Sequence, residues 1–310
     1  MRPTPSHIRL SLLLLGLAGA AWAVPDSTNA WGYGYDSLLR DLAAWRRTPW
    51  ARVDSIGATG QGRAIWMVSV TDSSDSLASV PGRSGPKHRI VLHARTHPRE
   101  VQAQRNANGA LRTVLDTGVV AAGLRRDFVF NVIPMANPDG VELGRGRHNG
   151  RGVNLESNWN RAPAKTQPEV LALRARFEQM DAGKLPVEVA LNLHSDTVRC
   201  TRFFVYHLAI GTSMVFGELE KQFIAGVQAH FPAGIRDYSF LWSWSLMPGL
   251  QYPEGFWWSR RHEQTMALTY EDSNCPDADQ FARSGRALVL GASDYVRREA
   301  TYRRSTLQGF

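Results

Sequence analysis

Apolar positions along this chain switch between a helical period and a strand period, and the switches mark out the fold. Leu38, Leu39, Leu42 and Trp45 fall three and four residues apart, which predicts an amphipathic helix over residues 37–46. Residues 63–70 alternate and are rich in β-branched and aromatic side chains, so they predict a strand. A polar stretch, 73–87, contains Pro81, Gly82, Gly85 and Pro86 and reads as a loop. Beyond it, short apolar runs at 89–93, 127–135, 187–193 and 266–270 predict strands. Helical spacing marks 100–115, 168–180, 215–231 and 279–298, and Asn137-Pro138-Asp139-Gly140 predicts a turn.

Strands that are apolar throughout and alternate with helices belong to a sheet covered on both faces. The expected fold is therefore α/β: a single domain with a mixed, mostly parallel, twisted sheet and helices on both sides. No linker, repeat or charge run divides it. In such sheets, functional groups gather beyond the carboxyl ends of the strands. His97, His194 and Glu271 all fall at or just past the ends of predicted strands.

The first residues read differently. Arg2, His7 and Arg9 precede an apolar run at 10–20, and Ala21-Trp22-Ala23 has the small-x-small pattern of a leader cleavage site. The run is too short for the ~20 residues of a spanning helix. The expectation is an exported protein with a leader at 1–23 and a mature domain at 24–310, periplasmic or secreted and without stable membrane insertion. The formal charge of +8 becomes +6 once Arg2 and Arg9 are removed. Basic residues are mixed with acids and lack an aromatic stacking pattern, which argues against a nucleic-acid partner. The two cysteines follow the site strands, Cys200 six residues after His194 and Cys275 four after Glu271. An oxidising compartment permits a bridge if those strands are neighbours; otherwise both are buried thiols.

The candidate chemistry is metal-dependent. His97 and Glu100 are spaced i, i+3 at a helix entrance, so both side chains can face one way. A distant histidine, His194, makes a third ligand and leaves one position open for water, the arrangement of catalytic zinc. Taken singly, these residues are also what a surface ion pair, a core histidine or a strand-end acid would supply.

Four segments taken together resemble the signature blocks of the M14-type zinc carboxypeptidases: His-Ala-Arg-Thr-His-Pro-Arg-Glu (93–100), Asn-Pro-Asp-Gly (137–140), Leu-Asn-Leu-His-Ser (191–195) and Leu-Thr-Tyr-Glu (268–271). The resemblance runs from about residue 33 to the end. It implies one Zn2+ on His97, Glu100 and His194, with Glu271 as general base and a peptide as substrate. Arg147, flanked by Arg145 and Arg151, matches the arginine that faces the developing negative charge.

The family's carboxylate clamp, an Asn-Arg pair within Asp-Leu-Asn-Arg, is altered here. One register places Glu156 and Ser157 on the pair; the other, favoured register inserts about four residues and places Asn160 and Arg161 there. By counting back from Glu271, Phe256 falls at the floor of the family's specificity pocket, which disfavours selection of Lys or Arg; the equal alternative is that Phe256, Trp257 and Trp258 are core aromatics. Tyr252 is the nearest counterpart of the family's mobile tyrosine, and the aromatic stretch 238–244 is a candidate cleft lining.

The resulting expectation is a zinc metallocarboxypeptidase. Its alternatives are a peptidase or amidase acting on peptidoglycan stem peptides, a zinc amidohydrolase for N-acyl amino acids, and a non-catalytic peptide-binding protein. The last predicts loss of a ligand or the base, and all four residues are present.

Overall fold

Seven strands join in one sheet in the computed structural model, which describes residues 32–83, 85–196, 200–237, 249–275 and 278–307. In chain order the elements are α1 (Tyr35–Trp45), β1 (Ala51–Ala58), β2 (Ala64–Val70), β3 (His88–Ala94), α2 (Val101–Leu115), α3 (Val119–Asp127), β4 (Phe128–Ile133) and α4 (Pro138–Glu142). They continue with α5 (Pro168–Asp181), β5 (Val187–Ser195), β6 (Phe203–Val205), α6 (Met214–Ala229), α7 (Pro253–Arg261), β7 (Met266–Asp272) and α8 (Ala278–Leu307). The spatial order is β1-β2-β4-β3-β5-β7-β6. Strands β4, β3, β5 and β7 are parallel neighbours, while β2, β6 and the outermost β1 pair antiparallel. The leader and the 238–244 stretch lie outside the described residues.

The unbroken apolar character of the central strands follows from this layering. Alternate residues of β3, Ile90, Leu92 and Ala94, join a core built with α2, α6 and α8. Val91 points the other way, into a second core with Phe177 of α5 and Trp257 of α7. Both faces are dry, so no polar alternation is left to read.

Five elements differ from the sequence expectation. The turn at Asn137 opens a short helix, α4, whose N-cap Asn137 side chain accepts from Gly140 N at 3.0 Å. Edge strand β1 has no fully buried residue and therefore no apolar signal. Helix α3 carries Gly123 and three charged residues in nine positions. Strand β6 has three residues, too few for a period, and α7 lies among aromatics, Phe256, Trp257 and Trp258, that were assigned to no element.

Helices α2 and α8 approach closely at Gly109 and Gly285. A Cβ on Gly285 would lie 2.3 Å from the Asn106 carbonyl oxygen and 2.6 Å from Ala110 N. Gly285→Ala gains helix propensity of under about 1 kcal/mol. The backbone overlap costs more, so a net loss of about 1–3 kcal/mol is expected. A lowered urea midpoint at unchanged slope measures it.

Candidate metal centre

Strand order brings the site together. β3, β5 and β7 lie side by side, and β5 pairs with β7 so that His194 is directly opposite Glu271. Paired residues in a sheet project to the same face, so these two side chains are neighbours by register alone. His97 and Glu100 enter from the loop after β3. That loop turns at Arg95, whose φ of 60° places a non-glycine residue in left-handed backbone. Arg95 is fully buried; its Nε donates to the Pro98 carbonyl at 2.6 Å and one terminal nitrogen to the Tyr33 carbonyl at 3.2 Å. These bonds hold the strained turn and deliver His97 to the sheet end. Glu100 is the N-cap residue of α2.

His97, Glu100 and His194 are buried, with ligand atoms all within 4.8 Å of one another. Nδ1 of His97 lies 2.8 Å from one Glu100 oxygen, and Nδ1 of His194 lies 2.7 Å from the other. The outward nitrogens are engaged separately: His97 Nε2 with Asn154 Oδ1 at 3.2 Å, and His194 Nε2 with Glu156 Oε2 at 3.1 Å. An Nε2–H donated outward leaves the Nδ1 lone pair facing inward, as a metal ligand requires. Two imidazole nitrogens and a carboxylate, with one open side, form a donor set that fits a single Zn2+.

Burial opposes the charge on Glu100, but the His194 and His97 imidazoles outweigh it and hold the carboxyl below the usual range. Burial likewise opposes the Glu156 charge, and His194 overcomes it to hold the carboxyl at about 2. Burial pushes Glu271 the other way, to about 8; the His194 charge resists and the neighbouring carboxylates add to the rise. A divalent ion beside Glu271 would favour its carboxylate form.

These side chains line a cavity of about 180 Å³ together with Arg147, Tyr252, Glu254 and Thr269. Arg145, Arg151, Asn160 and Arg161 do not line it. Asn160 and Arg161 are exposed, and Thr166 Oγ1 donates to the Arg161 carbonyl at 2.9 Å. The expected placement of this pair in the cleft is therefore not what the structure shows: Glu156 lines the cavity, and Asn160 and Arg161 do not. The reason is packing. Trp159 is buried against Phe177 with rings stacked at 5.9 Å, which pins the segment and carries residues 160–161 outward.

Of the two expectations for Phe256, the structure shows the core one and not the pocket floor. Phe256 packs into the core, its ring 5.6 Å from that of Trp159, and does not line the cavity. Glu254 does, from the first turn of α7. Burial and the Glu156 charge raise its carboxyl. Helix α7 was not read from the sequence, and counting back from Glu271 reached Phe256, two residues past Glu254. Cys200 and Cys275 form a disulfide that joins the segments following β5 and β7.

His93 lies close by, buried between Trp159 and Phe177, and its Nε2 has no hydrogen-bond partner. Burial lowers its pKa from 6.5 to about 4. Below pH 6.5 the unfolded chain takes up a proton that the folded chain refuses, so stability falls as pH drops towards 4. The loss attributable to His93 is about 3 kcal/mol. Urea unfolding at pH 7 and pH 4.5, with a chelator throughout, should show a smaller acid loss for His93→Leu than for the parent.

Comparison with known proteins fits this geometry. Residues 37–229 match the family model for peptidase M14, zinc carboxypeptidase. The chain belongs to the M14 zinc carboxypeptidase family, and its triad is placed to hold one zinc ion. It is 28% identical over 171 residues to cytosolic carboxypeptidase 6 of Caenorhabditis elegans, covering 54% of this chain and 36% of that protein. It is 37% identical over 164 residues to cytosolic carboxypeptidase 4 of Mus musculus, covering 50% of this chain and 14% of that one. It thus spans only a minor part of these relatives. The fold is similar to a metallo-carboxypeptidase from Burkholderia cenocepacia, with TM-score 0.72, 22% identity, and coverage of 86% of this chain and 70% of that chain. It is also similar to carboxypeptidase A from Helicoverpa armigera, with TM-score 0.61, 17% identity, and coverage of 85% and 72%. Among the described residues, no helix is long and apolar enough to cross a membrane.

Proposed function

We propose that this chain is exported through a cleaved leader, residues 1–23, and that its domain, 24–310, hydrolyses the bond releasing a C-terminal residue from a peptide. The observation that carries the reading is the pairing of His194 with Glu271 across β5 and β7, which sets a carboxylate beside the metal triad. Zinc held by His97, Glu100 and His194 would supply a Lewis acid for the scissile carbonyl and lower the pKa of water towards ~7. Glu271 accepts the proton of the attacking water and passes it to the departing amine. Arg147 lines the same cavity and faces the negative charge that grows on the carbonyl oxygen. The disulfide supports an oxidising, periplasmic or extracellular compartment.

A second reading is favoured by one observation. Glu156 stands on the cavity wall where a clamp for the terminal carboxylate is expected, and Arg161 faces solvent. A stem peptide of peptidoglycan, cut away from a free terminus, would not need that clamp.

The deciding experiment presents one peptide set as free acids and as C-terminal amides, with and without a zinc chelator. Chelator-sensitive release of single residues from free acids supports the first reading. Chelator-sensitive cleavage indifferent to the terminus transfers support to the second, and cleavage that survives the chelator sinks both. In the same assay Arg161→Ala should change kcat/KM by less than about twofold, as surface substitutions do. A larger loss confined to free acids would return Arg161 to the cleft.

A further inference from the structure

Three cations converge at the end of the sheet that lies away from the metal triad. Arg89 stands at the start of β3, and His97 follows the other end of that strand. Strand alternation puts Arg89 on the face of Val91, the face that α5 covers. It lines a surface depression of about 410 Å³ with Arg176 from α5 and Lys184 from the turn after that helix. Ser76 and Gln179 add polar groups to the same wall, and no carboxylate lines it. The Lys87 N–H donates to the Ser76 carbonyl at 2.7 Å and holds that loop against the start of β3.

Arg89 is half-buried, and among the described residues no hydrogen bond or ion pair reaches its guanidinium. One terminal nitrogen of Arg176 donates to Gln179 Oε1 at 2.6 Å, but its Nε, like that of Arg89, is buried without an acceptor. Burial and the Arg176 charge both push the Arg89 pKa down. Asp54, whose charge favours the Arg176 guanidinium, is itself bound by Arg52 at 2.6 Å. The competing account is structural, since cations suit a helix C-terminus and Arg176 and Lys184 stand at that of α5. That terminus carries only about half a negative charge against three positive ones. Arg89, moreover, bonds none of the helix carbonyls. Guanidinium groups withdrawn from water without an acceptor are costly, so the depression favours an anion rich in acceptor oxygens.

We infer that the depression formed by Arg89, Arg176 and Lys184 binds a phosphate group, carried either by a small phosphate or by the phosphomonoester headgroup of a lipid. Two guanidinium forks match phosphate oxygens in pairs, the lysine adds an ammonium at the rim, and Ser76 offers a hydroxyl. A phosphate held there joins β3, α5 and the loop at residues 76–77, so its binding stabilises the fold by linkage. The site is separate from the metal centre and stands whatever substrate that centre takes.

Calorimetric titration of the zinc-loaded protein with inorganic phosphate tests the assignment. Phosphate that meets the metal centre is the part that substitutions at the far end of the sheet leave unchanged. Arg89→Gln and Arg176→Gln should each weaken the remaining affinity by at least about tenfold, the scale of a lost charge-assisted hydrogen bond. Lys184→Gln, at the rim, should weaken it by about threefold. Arg112→Gln, exposed on α2, should leave it unchanged. Phosphate should raise the Tm of the parent and fail to raise that of Arg89→Gln. In every variant peptide turnover should stay within about twofold of the parent, which keeps this site distinct from the hydrolytic one. Co-sedimentation with phosphatidylcholine vesicles, pure or with about one-fifth phosphatidic acid, distinguishes the two sources. Binding to the acidic vesicles that Arg89→Gln abolishes assigns the headgroup, and phosphate binding without vesicle binding assigns a small phosphate. If the parent binds neither, or if Arg89→Gln and Arg176→Gln bind both as the parent does, the inference is overturned. Should Arg89→Gln fail to fold, Arg176→Gln decides alone.

Discussion

Glu271→Gln should keep one zinc per chain and lose about 10²–10⁴-fold in kcat, the contribution of a positioned general base. The amide is nearly isosteric with the acid and stays in register opposite His194 on β7, so the metal triad is left intact. What disappears is the ability to take a proton from water and return it to the leaving amine. KM should move little, because the side chain acts on the reacting atoms rather than on the body of the substrate. Zinc content by atomic absorption and single-turnover rates measure the two halves of this expectation. Turnover within tenfold of the parent would remove Glu271 as the base, and loss of zinc would reassign it to metal binding.

His194→Ala should give the opposite pattern. The imidazole supplies one of three inward donors and is bracketed by Glu100 at 2.7 Å and Glu156 at 3.1 Å. Its removal leaves two protein ligands and brings two carboxylates together with no group between them. Zinc should fall to trace occupancy after dialysis that leaves the parent loaded, and activity should fall by on the order of 10³-fold or more. Excess zinc should recover only part of it. Full occupancy at equal free zinc would refute the ligand assignment.

The central architecture was legible because buried parallel strands and amphipathic helices carry strong apolar periods. β3, β5, β7, α2, α5 and α8 were all read from sequence, and four short blocks named the metal set. The segment from Asn154 to Arg161 was harder. Its register is decided by where Trp159 packs against Phe177, a contact between residues that no local pattern connects. Phe256 was left between pocket floor and core for a related reason. In α7, neighbouring positions alternate between the core and the cavity with a helical rather than an extended period, so Glu254 faces the site and Phe256 the core. Proline at the first turn of α7 and an acid beside it were a helix-start signal that could have found it.

The strands that carry the centre are adjacent in space, yet Glu100 and His194 are 94 residues apart in the chain. No short segment can gather the three ligands, so the ion is captured with its full donor set only after the long-range parallel pairings have formed. Those pairings are the slow, entropically expensive part of folding. Zinc uptake in a refolding experiment should therefore track completion of the central sheet and lag behind formation of the helices. A chain that has not finished folding carries no complete donor set, and the metal centre arrives together with the native structure.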